Sequence, residues 1–166
     1  HPFKNVIVGA SYFRQEFVNK IDFVSSSFRN VAGRTETHGA EVFAEVRPFD
    51  SVKVRGSYTL TEGERLIDVP KHEGAVKAIW EIGDFRISGN LRVVGDHRMQ
   101  VFSVDTFLVD TLQEEGRLTL GAEIAYKIKN DVEVYVRGDN ITDEKYTESV
   151  FNMPGTRAFV GVRGKF

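Results

Sequence analysis

The residues able to do chemistry in this chain are scattered rather than gathered. The four histidines, His1, His38, His72 and His97, lie far apart and show no metal-ligand spacing. Glu114 and Glu115 are adjacent, so on a strand their carboxylates point to opposite faces and cannot share a substrate. Ser25-Ser26-Ser27 has no evident base, and Gly161-Val162-Arg163-Gly164 lacks the strand–loop–helix context of a phosphate-binding loop. With no cysteine there is no disulfide framework, thiolate metal site or cysteine nucleophile. No enzymatic activity, resident metal or cofactor is expected. What remains is a set of charged residues in polar connections, chiefly Arg65, His97 and Arg98, with Asp68, Lys71, Asp105 and Asp110 beside them. Such residues suit contact with a polar ligand, although most charged loop residues are simply solvated.

The elements that must carry these connections are legible from periodicity. Leu118, Leu120, Ala122, Ile124 and Tyr126 share one face of a period-two segment, with Thr119, Gly121, Glu123 and Lys127 on the other. The same alternation sets Val52, Val54, Gly56, Tyr58 and Leu60 against Lys53, Arg55, Ser57 and Thr59. It sets Phe85, Ile87, Gly89, Leu91 and Val93 against Arg86, Ser88, Asn90 and Arg92. Weaker or shorter versions cover 6–13, 40–46, 76–82, 132–137 and 158–166, and 20–24 reads as a strand returning from the first. That makes about nine strands. The inward arginines Arg55, Arg86, Arg92, Arg137 and Arg163 are expected to pair with Glu41, Glu45, Glu123 and Glu133 on neighbouring strands.

Composition agrees: 13 Phe, 5 Tyr and 15 Gly against 4 Pro and 2 Met favour strands and turns over helices. The 22 basic and 24 acidic residues interleave to a formal net charge of -2, so the chain offers no positive footprint for nucleic acid. No apolar run approaches the length of a spanning helix.

Tight connections at 48–51, 83–84 and 129–131 alternate with long polar ones at 61–72, 95–116 and 140–156. A membrane barrel alternates in this way, with short periplasmic turns and long outer loops. Several segments are long enough for a tilted strand to cross a bilayer. Charged residues on one face suit a wet lumen, and Tyr12, Tyr58, Phe85, Tyr126 and Phe166 near strand ends suit interfacial girdles. The expected fold is therefore an all-β, antiparallel, up-and-down membrane barrel facing outer-membrane lipid. A soluble lipocalin-like barrel and a complete small outer-membrane barrel (an adhesin, structural protein or pore) stay open, because alternation does not say which face points inward. Nine is an odd count, and single-chain bacterial barrels are usually even. Either a strand is hidden near 101–109 or the chain is part of a larger wall. The first residues, from His1 and Pro2, show no signal-peptide pattern and read as a mature segment or fragment.

The C-terminal third carries a resemblance. Val132-Glu133-Val134-Tyr135-Val136-Arg137-Gly138-Asp139 followed by Asn140-Ile141-Thr142-Asp143-Glu144-Lys145-Tyr146 resembles the penultimate strand of TonB-dependent outer-membrane receptors and its Asn-Leu-Phe-Asp-Lys-x-Tyr segment. Ile-Thr replaces Leu-Phe, and one residue separates Asp143 from Lys145. Pro154-Gly155-Thr156-Arg157 and a last strand ending in Phe166 resemble that family's Pro-Gly-Arg signal and terminal strand, with the arginine one place late. Residues 30–41 and 48–59 are similar more loosely. The resemblance implies that the chain is the C-terminal part, roughly nine to ten strands, of a 22-stranded barrel closed by an N-terminal plug. It implies import of a scarce ligand with energy transmitted by the TonB complex, which engages the N-terminal region. The ligand it implies is most often a ferric siderophore, and otherwise cobalamin or haem. An anionic siderophore would be attracted by Arg65, Arg98 and Arg157. Phe166 would be read by the barrel assembly machinery, and the location would be the outer membrane of a Gram-negative-type bacterium. Alone, such a segment has two open sheet edges and is expected to pair edge to edge.

Overall fold

The computed structural model describes residues 5–19, 21–24, 27–30, 32–64, 66–102, 109–129, 132–148 and 151–164. All its regular elements are strands: β1 (Val6–Val18), β2 (Ile21–Val24), β3 (Ser27–Asn30), β4 (Arg34–Phe49), β5 (Val52–Gly63), β6 (His72–Ile82), β7 (Phe85–Val94), β8 (His97–Phe102), β9 (Val109–Glu114), β10 (Arg117–Lys129), β11 (Val132–Asp139), β12 (Thr147–Glu148), β13 (Phe151–Asn152) and β14 (Arg157–Gly164). Eight of them form one antiparallel sheet in the order β1-β4-β5-β6-β7-β10-β11-β14. Three two-stranded ribbons, β2-β3, β8-β9 and β12-β13, stand apart from it.

The strand expected at 20–24 is therefore not a wall strand. Ile21–Val24 pairs with Ser27–Asn30 alone, and Lys20 lies outside the described residues. The chain returns to the sheet only at Arg34, through a β4 of 16 residues. The connection at 95–116 likewise contains a hairpin, β8-β9, while 103–108 lies outside the described residues. Among the described residues the principal sheet has eight strands, where about nine were counted.

In an antiparallel meander, successive connections alternate between the two ends of the sheet. Here β4-β5 turns at Asp50-Ser51 and β6-β7 at Gly83-Asp84, where Gly83 has φ 58°, a conformation that favours glycine. β10 ends at Lys129 and β11 begins at Val132, and the two residues between them, 130–131, lie outside the described residues. All three short turns fall at one end. The β1-β4, β5-β6, β7-β10 and β11-β14 connections, including all three ribbons, fall at the other. Pro48 sits inside β4, where the pairing with β5 shifts register between Val46 and Phe49. Proline lacks the N–H of a regular ladder, and a bulge accommodates it.

Register extends the alternation across the whole sheet. Val8 faces Ala44, Ala44 faces Gly56, Gly56 faces Val76, Val76 faces Leu91, and Leu91 faces Leu120. A second row runs Trp80, Ile87, Ile124, Val136, Val160. These rows share one apolar face, and it is open: Val8 is 72% exposed, Val160 82% and Val162 70%. Among the described residues the only buried hydrophobic side chains are Val94, Met99 and Ala125. A single-layer sheet with a continuous exposed apolar face has no stable place in water, whereas lipid solvates it.

The apolar face is bounded at both ends. Toward the short turns the Phe85 and Tyr126 rings lie 4.9 Å apart, beside Trp80 in the next row. Toward the long connections Tyr58 Oη lies 2.6 Å from His72 Nδ1. Beyond that point the same face turns charged. Arg14 pairs with Glu36 at 2.7 Å, Arg34 with Glu16, and Lys71 with Glu62 at 2.7 Å. Tyr12, Tyr58, Phe85 and Tyr126 thus stand where girdles were expected, and Phe166 lies outside the described residues.

The opposite face is wet, with a recurring packing device. Gly9 pairs directly with Phe43, Phe13 with Gly39, and Tyr135 with Gly161. In each pair the ring covers the glycine, so a Cβ there would approach the ring within 2.2, 2.4 and 2.5 Å respectively. Backbone without a side chain lets the aromatic lie against the sheet.

Candidate functional site

The wet face gathers its charges into clusters. Near the short-turn end, Glu133 Oε1 accepts from Arg86 Nη2 at 2.6 Å and from Arg163 Nη1 at 2.7 Å, while Arg163 Nη2 reaches Glu123 Oε2 at 3.2 Å. Four residues of strands β7, β10, β11 and β14 are thereby tied across the sheet, and Arg163 also stacks on Tyr135 at 4.8 Å. Higher on the wall, Arg137 grips Asp139 with two hydrogen bonds, of 2.8 and 2.6 Å. The expected pairing therefore holds for Arg86 and Arg163. Arg92 pairs instead with Glu73, Arg137 with Asp139, and Arg55 stacks over Phe43 at 5.5 Å. Glu45 is held by Lys53 at 3.0 Å. These side chains brace the wall; none is an isolated catalytic group.

At the long-connection end the motif residues converge. Asn140 and Asp143 have φ 50° and 53°, left-handed values that Asn and Asp tolerate better than most residues. Asn140 Nδ2 donates to the Glu144 carbonyl at 2.9 Å, and its Oδ1 accepts from the Glu144 amide at 3.0 Å. Asp143 Oδ1 accepts from Lys145 Nζ at 2.8 Å and from the Thr156 amide at 3.0 Å. Thr156 Oγ1 donates to the Asn140 carbonyl at 2.9 Å. The Lys145 ammonium first, then the Thr156 amide, hold the Asp143 carboxyl below the usual carboxylate range. At Gly155 a Cβ would stand 2.1 Å from Asp143 Oδ1 and 2.4 Å from Lys145 Nζ, so a larger residue would have to displace this ion pair. The Pro154 carbonyl lies 3.4 Å from Asn140 Nδ2. The Asn140–Tyr146 and Pro154–Arg157 segments thus form one latch that closes the connection from β11 to β14. It is pinned to β10 by Ile141, whose amide donates to the Leu120 carbonyl at 2.8 Å.

Tyr146 leaves the latch to lie under Arg117, the first residue of β10, with 4.3 Å from guanidinium to ring centroid. Beside this pair opens a cavity of about 680 Å³ between the stem of the β8-β9 hairpin and the latch. Glu114, Arg117, Tyr146 and Met153 are among the residues lining it. Sequence periodicity had put Arg117 just outside the alternating run and did not single it out. Its meeting with Tyr146, 29 positions further on, depends on the fold of the latch.

The loop candidates do not converge. Arg65 lies outside the described residues. His97 opens β8 half-buried, its Nδ1 3.1 Å from the Gly95 carbonyl. Arg98 is exposed, and its carbonyl accepts from the Asp68 amide at 2.8 Å. As neighbours on one strand, His97 and Arg98 project to opposite sides. No group of His, Asp and Glu among the described residues could hold a metal ion.

An antiparallel sheet with one lipid-compatible face, one wet face, and its long connections gathered at one end has the build of a wall segment of an outer-membrane β-barrel, not closed among the described residues. The family described as "TonB dependent receptor-like, beta-barrel" matches residues 3–141, and the chain belongs to it. Members of that family are transporters and receptors of the Gram-negative outer membrane, not enzymes. Comparison with curated proteins gives no match. Solved structures share the fold. The copper transporter OprC superposes with TM-score 0.82 at 20% identity, over 100% of this chain and 29% of its own. The ferripyoverdine receptor of the outer membrane of Pseudomonas aeruginosa gives 0.76 at 13%, over 98% and 25%. The ferric-catecholate import receptor Fiu of Escherichia coli K12 gives 0.74 at 16%, over 98% and 26%. The chain spans about a quarter of the length of these structures.

Proposed function

We propose that this chain forms part of the barrel wall of a TonB-dependent outer-membrane transporter that imports a ferric siderophore. The observation that carries the reading is the two-faced sheet itself: a lipid face bounded by aromatic and charged rows, backed by a charged wet face, in a chain of this receptor family. The siderophore is favoured because receptors for ferripyoverdine and ferric catecholate share the fold. The copper transporter among the similar structures makes a second metal cargo the alternative to test. A small self-closed barrel would need β1 to pair with β14, yet each is an open edge of the described sheet.

In this reading the long connections face the outside, and Arg65, His97 and Arg98 contact the incoming ligand. The TonB complex acts through an N-terminal region beyond this chain. The barrel assembly machinery reads the C-terminal strand and Phe166, and outer-membrane lipid covers the apolar face. The test is uptake of radiolabelled iron by the source bacterium, supplied in turn as catecholate, hydroxamate and citrate complexes, with copper alongside. Deleting the whole receptor gene should abolish uptake of one iron complex, and deleting the TonB gene should do the same. Uptake of every iron complex unchanged by the receptor deletion would refute the reading. Loss of copper uptake alone would transfer it to the second cargo.

A further inference from the structure

Strands β1 and β4, of 13 and 16 residues, exceed the length of about 9–11 residues that a tilted strand needs to cross a bilayer. Their excess lies at the long-connection end. There the face that carries Val8, Ala10 and Tyr12 on β1 continues as Arg14 and Glu16, and the face that carries Ala44, Val42 and Ala40 on β4 continues as His38, Glu36 and Arg34. Glu62 of β5 stands beside His38 in register and holds Lys71 at 2.7 Å. Arg14, His38 and Glu62 lie two residues beyond Tyr12, Ala40 and Leu60, a rise of about 7 Å along the strand or about 5 Å in depth at a tilt of about 40°. That depth falls in the headgroup layer, which is about 5–7 Å thick on each side of the hydrocarbon. The pairing of these charges leaves donors and acceptors over. Arg14 and Arg34 each give one nitrogen to a carboxylate, Glu36 and Glu16 respectively, of the five N–H groups a guanidinium carries. The side chains of Arg14, Arg34 and Lys71 remain 57%, 66% and 55% exposed. His38 stands between Glu36 and Glu62, each 3.8 Å from one of its ring nitrogens and beyond hydrogen-bond length.

Arg14, Arg34 and Lys71 thus alternate with Glu16, Glu36 and Glu62. A bare phosphate would meet as many carboxylates as cations. A headgroup with a phosphate beside a primary ammonium complements both signs. Toward the bilayer centre the same strands form a groove of about 620 Å³, lined by Val8, Val42, Ala44, Gly56, Tyr58 and Val76 among others. Its floor is low because Gly56 lies between Ala44 and Val76 in register. A Cβ on Gly56 would meet nothing nearer than the Ala75 carbonyl oxygen at 3.8 Å, so the space above it is open. The way from the groove to the charged row crosses Ala40, which stands between Tyr12 and Leu60 in register. Groove and row are therefore continuous on one face of the wall, an apolar slot that ends in a rim of both charges. That order of chemistry fits one amphiphile.

We infer that β1, β4, β5 and the start of β6 bind one ethanolamine phospholipid, with an acyl chain in the groove over Gly56, the phosphate on Arg14 and Lys71, and the ammonium on Glu36 and Glu62. The inference rests on the proposed function only in taking the apolar face to meet lipid. For its test the full-length receptor is reconstituted in nanodiscs of phosphatidylcholine with a trace of phosphatidylethanolamine that carries a diazirine midway along one acyl chain. Peptides labelled on irradiation are then mapped. Saturable labelling of β4 and β5 is expected over the phosphatidylcholine background, competed by unlabelled phosphatidylethanolamine at lower concentration than by phosphatidylglycerol. R14M combined with K71M, and E36Q combined with E62Q, should each weaken binding about tenfold or more, as the loss of charge-assisted hydrogen bonds does. G56F, which fills the groove, should abolish the saturable labelling. G89F, at an equally open glycine of the same face outside the groove, should leave it unchanged. Labelling spread evenly over the apolar face and insensitive to G56F would overturn the inference and leave an ordinary annular lipid layer. Competition by phosphatidylglycerol or by diphosphoryl lipid A as strong as that by phosphatidylethanolamine would overturn it too, giving the rim to a purely anionic headgroup. Absence of label anywhere on the apolar face would overturn the lipid-facing wall along with it, whereas loss of the groove signal alone would leave the uptake test of the receptor reading untouched.

Discussion

Replacing Ala122 by arginine tests the assignment of the two faces most directly. Ala122 lies on the apolar face of β10, midway between Leu118 and Tyr126, with Gly89 and Gly138 directly opposite on the neighbouring strands. From Leu118 to Tyr126 the strand rises by about 27 Å, at about 3.4 Å per residue. Tilted by about 40° it spans about 20 Å of depth, close to the apolar band of an outer-membrane barrel. Ala122 then sits near the bilayer midplane, beside a glycine on each neighbouring strand, with the Ile141 side chain over Gly138 as the near neighbour on this face. A lipid-facing arginine costs about 2–4 kcal/mol at that depth and about 0–1 kcal/mol near the interface. Ala122→Arg should therefore destabilise the folded barrel by about 2–3 kcal/mol more than Leu118→Arg, or about 30- to 150-fold in the folding equilibrium. The assay is urea titration of the full-length receptor folding into phosphatidylcholine vesicles, read by mobility on unboiled gels. If both substitutions fall within about 0.5 kcal/mol of the unsubstituted protein, as exposed positions in water do, the apolar face does not meet lipid.

Three further outcomes follow from the wet face and the latch. Gly39→Ala should cost about 1–3 kcal/mol, because the new Cβ would stand 2.1 Å from the Leu60 carbonyl oxygen, which is backbone and cannot swing aside. Gly161→Ala, whose nearest neighbours are atoms of the Tyr135 side chain, should cost less in the same titration. Glu133→Gln should cost about 1 kcal/mol or less, since Arg86 and Arg163 are partly exposed and keep Glu123 within reach, whereas pairing it with Glu123→Gln should cost more than the two singles summed. Asp143 has a depressed pKa when folded, so its contribution to the latch is complete above the unfolded carboxylate pKa and is lost as pH falls through the lower folded value. The protection factor of the Thr156 amide, which is the intrinsic exchange rate divided by the observed rate at the same pH, should fall on acidification in the unsubstituted receptor, and Asp143→Asn should abolish that dependence.

The wall was readable in the sequence because period two is a property of single strands. Leu118 to Tyr126 and Phe85 to Val93 declare their apolar face without a partner, and register then aligns what each strand had already sorted. Relations between distant strands were not readable. The facing of Phe13 with Gly39 needs register, and the stacking of Tyr146 on Arg117 needs the latch to fold first. Residues 20–24 misled because four alternating residues look alike in a wall and in a side ribbon; only the length of β4 shows where the chain rejoins. The Asn140–Tyr146 segment was recognised as a motif, but its work as a hydrogen-bonded closure depends on left-handed φ values at Asn140 and Asp143 that no spacing announces.

The meander order of the sheet has a consequence for how the wall comes into being. Every sheet strand pairs only with the sheet strands before and after it along the chain, so the wall is effectively one-dimensional: its stability is close to a sum of nearest-neighbour interfaces. Within the described sheet each hairpin added covers the previous unpaired edge and presents a new one, and no pairing inside it waits on a strand from a remote part of the sequence. Growth of this kind keeps loop closure local and avoids the slow search that distant strand pairing imposes. At every stage the growing edge presents the row of unsatisfied backbone groups that the next strand joins.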